Sequence, residues 1–266
     1  MTEVKQGSPA EVLGRAREPV VFRGLASAWP ALSRWTPDYL ARLAGDRTVE
    51  VVVGDRESYE PVFRTIPLHD FFHAWPTGDA EGSPSLYLKE FDLFGAFPQL
   101  QEDVDFAALE RPSTKAWRYA WISQAGGRTN LHHDLLNNVL TQVVGRKLVT
   151  LIPPARSADV YPSDKFDCFA RLSRVDAFNP DFDRFPRYRS ALAAERQVTL
   201  EPGDAVYIPS GWWHTARSLT ASISLAGFFA RRIDYLTAVW PEEFRLALHN
   251  RGLYKRGKCT CHAAAA

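Results

Sequence analysis

The sequence predicts a mainly β fold with flanking helices, a double-stranded β-helix of the jelly-roll kind. Three observations predict it. Strand-like runs crowd the second half, at Tyr119 to Ser123, Val139 to Val144, Lys147 to Ile152, Gln197 to Leu200, Ala205 to Ile208 and Ala221 to Phe229. Turn signals separate them at Gly126-Gly127, Gly145, Pro153-Pro154, Pro202-Gly203 and Ser210-Gly211. Finally, 266 residues with 45% hydrophobic side chains suffice for one sizeable core. Many short strands so punctuated fit a double-sheet roll or small barrel rather than a βαβ fold.

A single domain over residues 1–266 is therefore expected, with an α/β elaboration over 1–115, the jelly-roll core over 116–230 and a helical segment and tail over 231–266. In the first part, Ser8-Pro9 and Thr36-Pro37 each set a capping hydroxyl before a proline at the first helical position. The second opens a helix through Asp38 to Ala44 that Gly45 stops. Pro19 to Gly24, Val49 to Gly54 and Ser85 to Lys89 read as strands, with Tyr87 on the face opposite Leu86 and Leu88. Within the core, the Asp-, Arg- and Pro-rich stretch from Ala155 to Arg196 reads as an insertion looping over one end. From Asp234 to Leu253, helical spacing of Leu236, Val239, Trp240, Phe244, Leu246 and Leu248 is interrupted by Pro241. Such a helix can make a homodimer or cap its own roll.

Bulk properties exclude several classes. A formal charge of +1 gives no electrostatic case for a nucleic-acid partner. No apolar run approaches the roughly 18 residues of a membrane span. The stretch from Met1 to Ser8 lacks an apolar signal region, so a soluble cytoplasmic protein is expected. Cys168, Cys259 and Cys261 are an odd set and no disulfide framework. Cys259-Thr260-Cys261-His262 offers three soft ligands, one short of a closed zinc site.

Two separated motifs carry chemistry. In His132-His133-Asp134, strand alternation turns His132 and Asp134 to one side and His133 to the other. The second motif runs from Gly203 to His214: a tight turn at Pro202-Gly203-Asp204, a strand, then a bend at Pro209-Ser210-Gly211 that aims His214 inward. Two imidazoles and one carboxylate holding one face of a metal leave the other face open, the arrangement of non-heme Fe(II) oxygenases. Lys147 stands at the head of an apolar strand, where an inward ammonium is costly unless it meets an anion. A dicarboxylate would satisfy both, one end chelating iron and the other on Lys147. Thr129 and Tyr87 could add hydroxyls to that far carboxylate, and Asn138 an amide nearby.

With these residues the chain resembles the JmjC/cupin-like Fe(II)- and 2-oxoglutarate-dependent oxygenases, in particular the branch of the hypoxia-inducible-factor asparaginyl hydroxylase. The resemblance runs through His132-x-Asp134, Asn138, Gly145-Arg146-Lys147, Ile152-Pro153-Pro154, Ser173-Arg174-Val175-Asp176 and Asn179 to Pro186, and closes with Pro202 to His214. It begins at Pro19 to Gly24 with Trp29-Pro30 and covers roughly residues 15 to 230. It implies iron on His132, Asp134 and His214, with 2-oxoglutarate on Lys147, Thr129 and Tyr87 and Asn138 behind them. The implied reaction uses O2 and 2-oxoglutarate, releases succinate and CO2, and hydroxylates a substrate C–H, first choice a protein or peptide side chain. The substrate pocket expected from it comprises Arg171, Leu172, Trp213, Gly227 and Phe229. Where that branch hydrogen-bonds an asparagine amide through a glutamine, this chain has Leu172, which argues against asparagine as the target.

Other readings remain open at this level. A small-molecule hydroxylase would share the mechanism. A base hydroxylase of transfer RNA is disfavoured by charge, and histone-type demethylation by the lack of reader domains. A non-catalytic cupin would need a fourth ligand such as His133.

Overall fold

Side-chain alternation along the strands sets the architecture of the computed structural model, which describes residues 2–9, 16–53, 62–75, 85–110 and 115–260. In chain order the strands are β1 (Thr2–Glu3), β2 (Lys5–Gln6), β3 (Val20–Phe22), β4 (Thr48–Val53), β5 (Val62–Pro67), β6 (Leu86–Phe91), β7 (Lys115–Ser123) and β8 (Arg128–Asp134). They continue as β9 (Asn137–Val144), β10 (Lys147–Ile152), β11 (Ala170–Leu172), β12 (Arg196–Leu200), β13 (Ala205–Ile208), β14 (Trp213–Ser218) and β15 (Ser222–Ala230). Two sheets result. One runs β1-β12-β10-β14-β8-β11 and the other β2-β3-β13-β9-β15-β7-β6-β4-β5. The pairings are antiparallel except β1 with β12 and β2 with β3. The central strands β7 to β10 and β12 to β15 form the jelly roll, and the N-terminal strands extend the larger sheet.

The larger sheet is apolar on both faces, because it is covered on both. Val139, Val143, Ala205, Tyr207, Ile223, Leu225 and Phe229 face outward, where Trp35, Leu40, Phe71, Phe72, Phe97 and Leu100 pack on them. Residues one position off, Leu140, Val206, Ile208 and Ala226, face inward against Val149, Leu151, Val198 and Leu200 of the smaller sheet. The helix Pro37–Ala44 belongs to the outer layer. Thr36 Oγ1 accepts from Tyr39 N at 3.3 Å, and Gly45 ends the helix at φ +56°.

Two turns bring the site strands into register. Gly145, at φ +71°, joins β9 to β10, and a Cβ there would lie 1.9 Å from the Ala221 carbonyl oxygen. Only glycine fits. The Pro202-Gly203 turn is fastened by Asp204, whose carboxylate accepts from Glu201 N (3.1 Å), Gly24 N (2.9 Å) and Arg23 Nη1 (2.6 Å).

The structure differs from the sequence reading in several elements. β5, β11 and β14 are strands that periodicity does not reveal. β5 is largely exposed, and β14 buries polar His214, Thr215 and Ser218, so neither shows apolar alternation. β7 starts at Lys115, ahead of the predicted Tyr119. The 155–196 insertion is not a plain loop. It contains a 3₁₀ turn (Pro154–Val160), β11 and a short helix (Tyr188–Leu192), with Val160, Val175, Phe185 and Tyr188 packed in one cluster with Leu131, Ile152 and Trp213 of the smaller sheet. Pro241 does not break the C-terminal helix but sits in the first turn of Trp240–Asn250, and the preceding turn, Tyr235–Val239, widens to a π-helix. Proline has no N–H to give the preceding turn, and that position needs none. The helix start after Ser8-Pro9 and the residues Gly54, Cys261 and His262 lie outside the described residues. No helix among the described residues is long and apolar enough to cross a membrane.

Candidate metal centre

β8 and β14 are neighbours in the smaller sheet, with His132 paired directly to His214. Past them, Gly211 N donates to Asp134 O at 3.0 Å and Ser210 Oγ to Leu135 O at 2.9 Å. The Pro209–Gly211 bend is thereby tied to the end of β8, which brings the two motifs together. One ligand atom from each of His132, Asp134 and His214 lies within 4.8 Å of the others. His132 Nε2 is 3.7 Å from Asp134 Oδ1, and His214 Nε2 is 3.6 Å from Oδ2. The imidazole centroids are 4.2 Å apart.

Both rings are oriented by the backbone. His132 Nδ1 meets Asn130 O at 2.8 Å and His214 Nδ1 meets Trp212 O at 3.0 Å. A carbonyl can only accept, so each Nδ1 carries the proton and each Nε2 lone pair faces Asp134. Burial pushes the His214 pKa down to about 4, which keeps the ring neutral and able to ligate at physiological pH. Burial also pushes the Asp134 carboxyl up, opposed by His132 and by the amide of Asn138, 3.4 Å away. A buried carboxylate between two neutral imidazole nitrogens calls for a cation, and this donor set fits a divalent metal such as iron. His133 turns away and packs edge-on to Trp213 at 4.6 Å, as strand alternation requires.

The three residues line one end of a cavity of about 330 Å³ between the sheets. Lys147, Tyr87, Thr129 and Asn138 line it too. Lys147 heads β10 and is 2% exposed, and burial lowers its pKa to about 7. Among the described residues no carboxylate pairs with it. Tyr87 Oη and Thr129 Oγ1 lie 2.9 Å apart in the same wall, and Asn138 Oδ1 is buried with no hydrogen-bond partner among the described residues. These groups fit a second anion in the cavity.

The expected substrate pocket needs correction. Leu172 lines the cavity. Gly227 and Phe229 do not, because the register of β15 turns them outward. A Cβ at Gly227 would meet Phe106, and Phe229 stacks on Tyr207 at 6.2 Å. Their neighbours Ala226 and Phe228 line the cavity instead. Trp213 is buried with Leu131 and Ile152 behind His133. Arg171 forks onto the buried carboxylate of Glu242, with Nη1 3.2 Å from Oε1 and Nη2 3.4 Å from Oε2. Sequence reasoning missed Trp117, Tyr119 and Trp121, successive inward positions of β7, although aromatics at every second residue are a readable signal. It also missed Glu90, Asp167 and Phe169 at the cavity's edge, and Leu246.

A family model described as a cupin-like domain matches residues 10–235. The chain belongs to the cupin-like domain family. Among similar proteins, lysine-specific demethylase 8 of Xenopus tropicalis is 34% identical over 215 residues, covering 79% of this chain and 47% of that protein. Jumonji C domain-containing protein 5 of Drosophila melanogaster is 32% identical over 222 residues, covering 79% and 54%. tRNA wybutosine-synthesizing protein 5 of Gallus gallus is 31% identical over 235 residues, covering 80% and 70%. The cupin-like chain thus spans about half the length of the first two. The names of these relatives agree with a JmjC protein at large, and none of them is specific to the asparaginyl hydroxylase branch.

Proposed function

We propose that this cupin-like protein is an Fe(II)- and 2-oxoglutarate-dependent dioxygenase that hydroxylates a C–H bond of a protein or peptide side chain, releasing succinate and CO2. One observation carries the reading: the His132, Asp134 and His214 donors share a cavity with a buried Lys147 that no carboxylate among the described residues pairs. Bound iron would supply O2 activation coupled to decarboxylation of the keto acid. The protein's own groups do the rest. Lys147, with the Tyr87 and Thr129 hydroxyls, binds the distal carboxylate of 2-oxoglutarate. Asn138 holds the Asp134 carboxylate by its amide. The rings of Trp121 and Phe228, 6.1 Å apart, exclude water from the reacting end.

The substrate side supports a cationic side chain. Asp167 lines the cavity with Trp117, Tyr119 and Phe169, and a carboxylate with aromatic faces favours a cation, while Glu90 there already has Lys89 at 4.0 Å. The demethylase names of the relatives agree in substrate charge. Leu172 offers no hydrogen bond to an amide, so asparagine is not the favoured target. A closed, non-catalytic metal site is opposed by His133, which faces away from the triad.

The test is an anaerobic titration with Fe(II) and then 2-oxoglutarate, read by the visible metal-to-ligand charge-transfer band. The band should form in the wild type and be lost or strongly weakened in Asp134→Ala and Lys147→Ala. A normal band in both variants would end the assignment. Under O2, succinate yield across lysine, methyl-lysine and arginine peptides and a metabolite panel then ranks substrates. Formaldehyde release separates attack on an N-methyl group from hydroxylation of the chain.

A further inference from the structure

We infer that the C-terminal tail, residues 249–260, is the positioning element for the cavity wall Asp167–Leu172, fixing the substrate side of the site while leaving the iron side alone. The substrate role of that wall rests on the function proposed above, whereas the mechanical claim does not. The family match ends at residue 235, so the tail lies beyond the matched stretch. It returns to the cavity all the same. Phe166 N donates to Lys258 O at 2.8 Å and Thr260 N to Phe166 O at 3.1 Å, around a parallel bridge between Phe166 and Cys259. Phe166 is 3% exposed and is enclosed by the rings of His249 and Tyr254, at 4.8 and 5.4 Å. His249 is itself buried, its Nδ1 2.6 Å from Tyr254 O, so the tail folds on a fixed post.

The next contact reaches the wall directly. Thr260 Oγ1 donates to Asp167 Oδ2 at 2.7 Å. Asp167 lines the cavity. One hydroxyl at the end of the tail therefore orients a carboxylate at the substrate side. The wall needs such support, since Phe169 holds φ +62°, a backbone state rare for a bulky side chain. On its other edge the wall is held by β11 pairing with β8 and by Leu135 N donating to Phe169 O at 2.9 Å. Cutting the tail releases one edge only, which predicts local loosening and not collapse.

Hydrogen exchange read by mass spectrometry tests this on the full chain, on Thr260→Val, on Thr260→Ser and on a chain ending at Gly252. Peptides spanning 165–171 should exchange about threefold faster or more in Thr260→Val and in the shortened chain, with Thr260→Ser at the wild-type rate. Peptides spanning 128–134 and 213–218 should not change, and the Fe(II)–2-oxoglutarate band should form at wild-type concentrations. Wild-type exchange over 165–171 in both altered chains would overturn the inference. So would acceleration spread equally over all three regions. Absence of the band in the wild type itself would instead count against the proposed function and leave the exchange result standing.

Discussion

At the scale of single residues, Lys147 makes the sharpest chemical statement. Its ammonium is buried and, among the described residues, meets no carboxylate, and its pKa is lowered to about 7 by desolvation alone. A bound carboxylate would favour the charged form and raise that pKa again. The sign of the pH dependence follows. With 2-oxoglutarate docked as proposed, binding should be at full strength below about pH 7, where Lys147 is already charged. Above it, binding must recapture a proton, so affinity should fall by up to about tenfold per pH unit until the pKa of the complex is reached. Charge-transfer titrations at several pH values measure this. Lys147→Ala should weaken binding by about 2–3 kcal/mol at neutral pH and flatten the pH profile. An unchanged slope in that variant would assign the proton to another group. The clustering of His132, Asp134 and His214 and the burial of Lys147 are legible in the sequence because strand alternation and the two turns fix where these side chains point. Gly227 and Phe229 face away from the cavity because facing depends on the register of β15, which a strand buried along nearly its whole length does not disclose.

At the scale of elements, the site is a product of two tight connections. The β9–β10 turn delivers Lys147, and the 209–211 bend delivers His214. Gly145 is the more constrained, because a side chain there would meet both a left-handed backbone and the Ala221 carbonyl. Gly145→Ala should therefore destabilise the protein by about 2 kcal/mol or more, seen as a lower urea midpoint with an unchanged slope. Since the same turn sets the head of β10, the variant's 2-oxoglutarate affinity should fall with its stability. Turns of this kind were readable from glycine and proline. The cavity's outer wall was not, because Asp167 and Phe169 come from an insertion without strand or helix periodicity, and the helical spacing around Leu246 does not say which face meets the cavity. Their positions are set by contacts distant in sequence, such as Arg171 with Glu242.

At the scale of the whole molecule, the C-terminal helical segment has two faces with different tasks. Its inner face is spent on the domain: Leu246 lines the cavity, Val239 is buried, and Glu242 holds Arg171 and Arg245. Its outer face is apolar without need. Leu236, Trp240 and Phe244 are 65%, 63% and 61% exposed, and Ile233 continues the same stripe. Large apolar side chains grouped on one helical stripe mark an interface more often than a solvated surface. A second copy is the occupant we propose, since one helix crossing its two-fold mate buries the same stripe twice. The sequence leaves open whether this helix caps its own roll or makes a dimer; the inner face caps the roll, and the dimer is the role proposed for the outer face. Sedimentation velocity should show a wild-type dimer at micromolar concentration and a monomer for Trp240→Glu/Phe244→Glu. Because the stripe points away from the cavity, the monomeric variant should keep the Fe(II)–2-oxoglutarate band. A monomeric wild type would leave the stripe to another partner, and a variant that loses the band on dissociation would mean that the pair, not the single chain, completes the site.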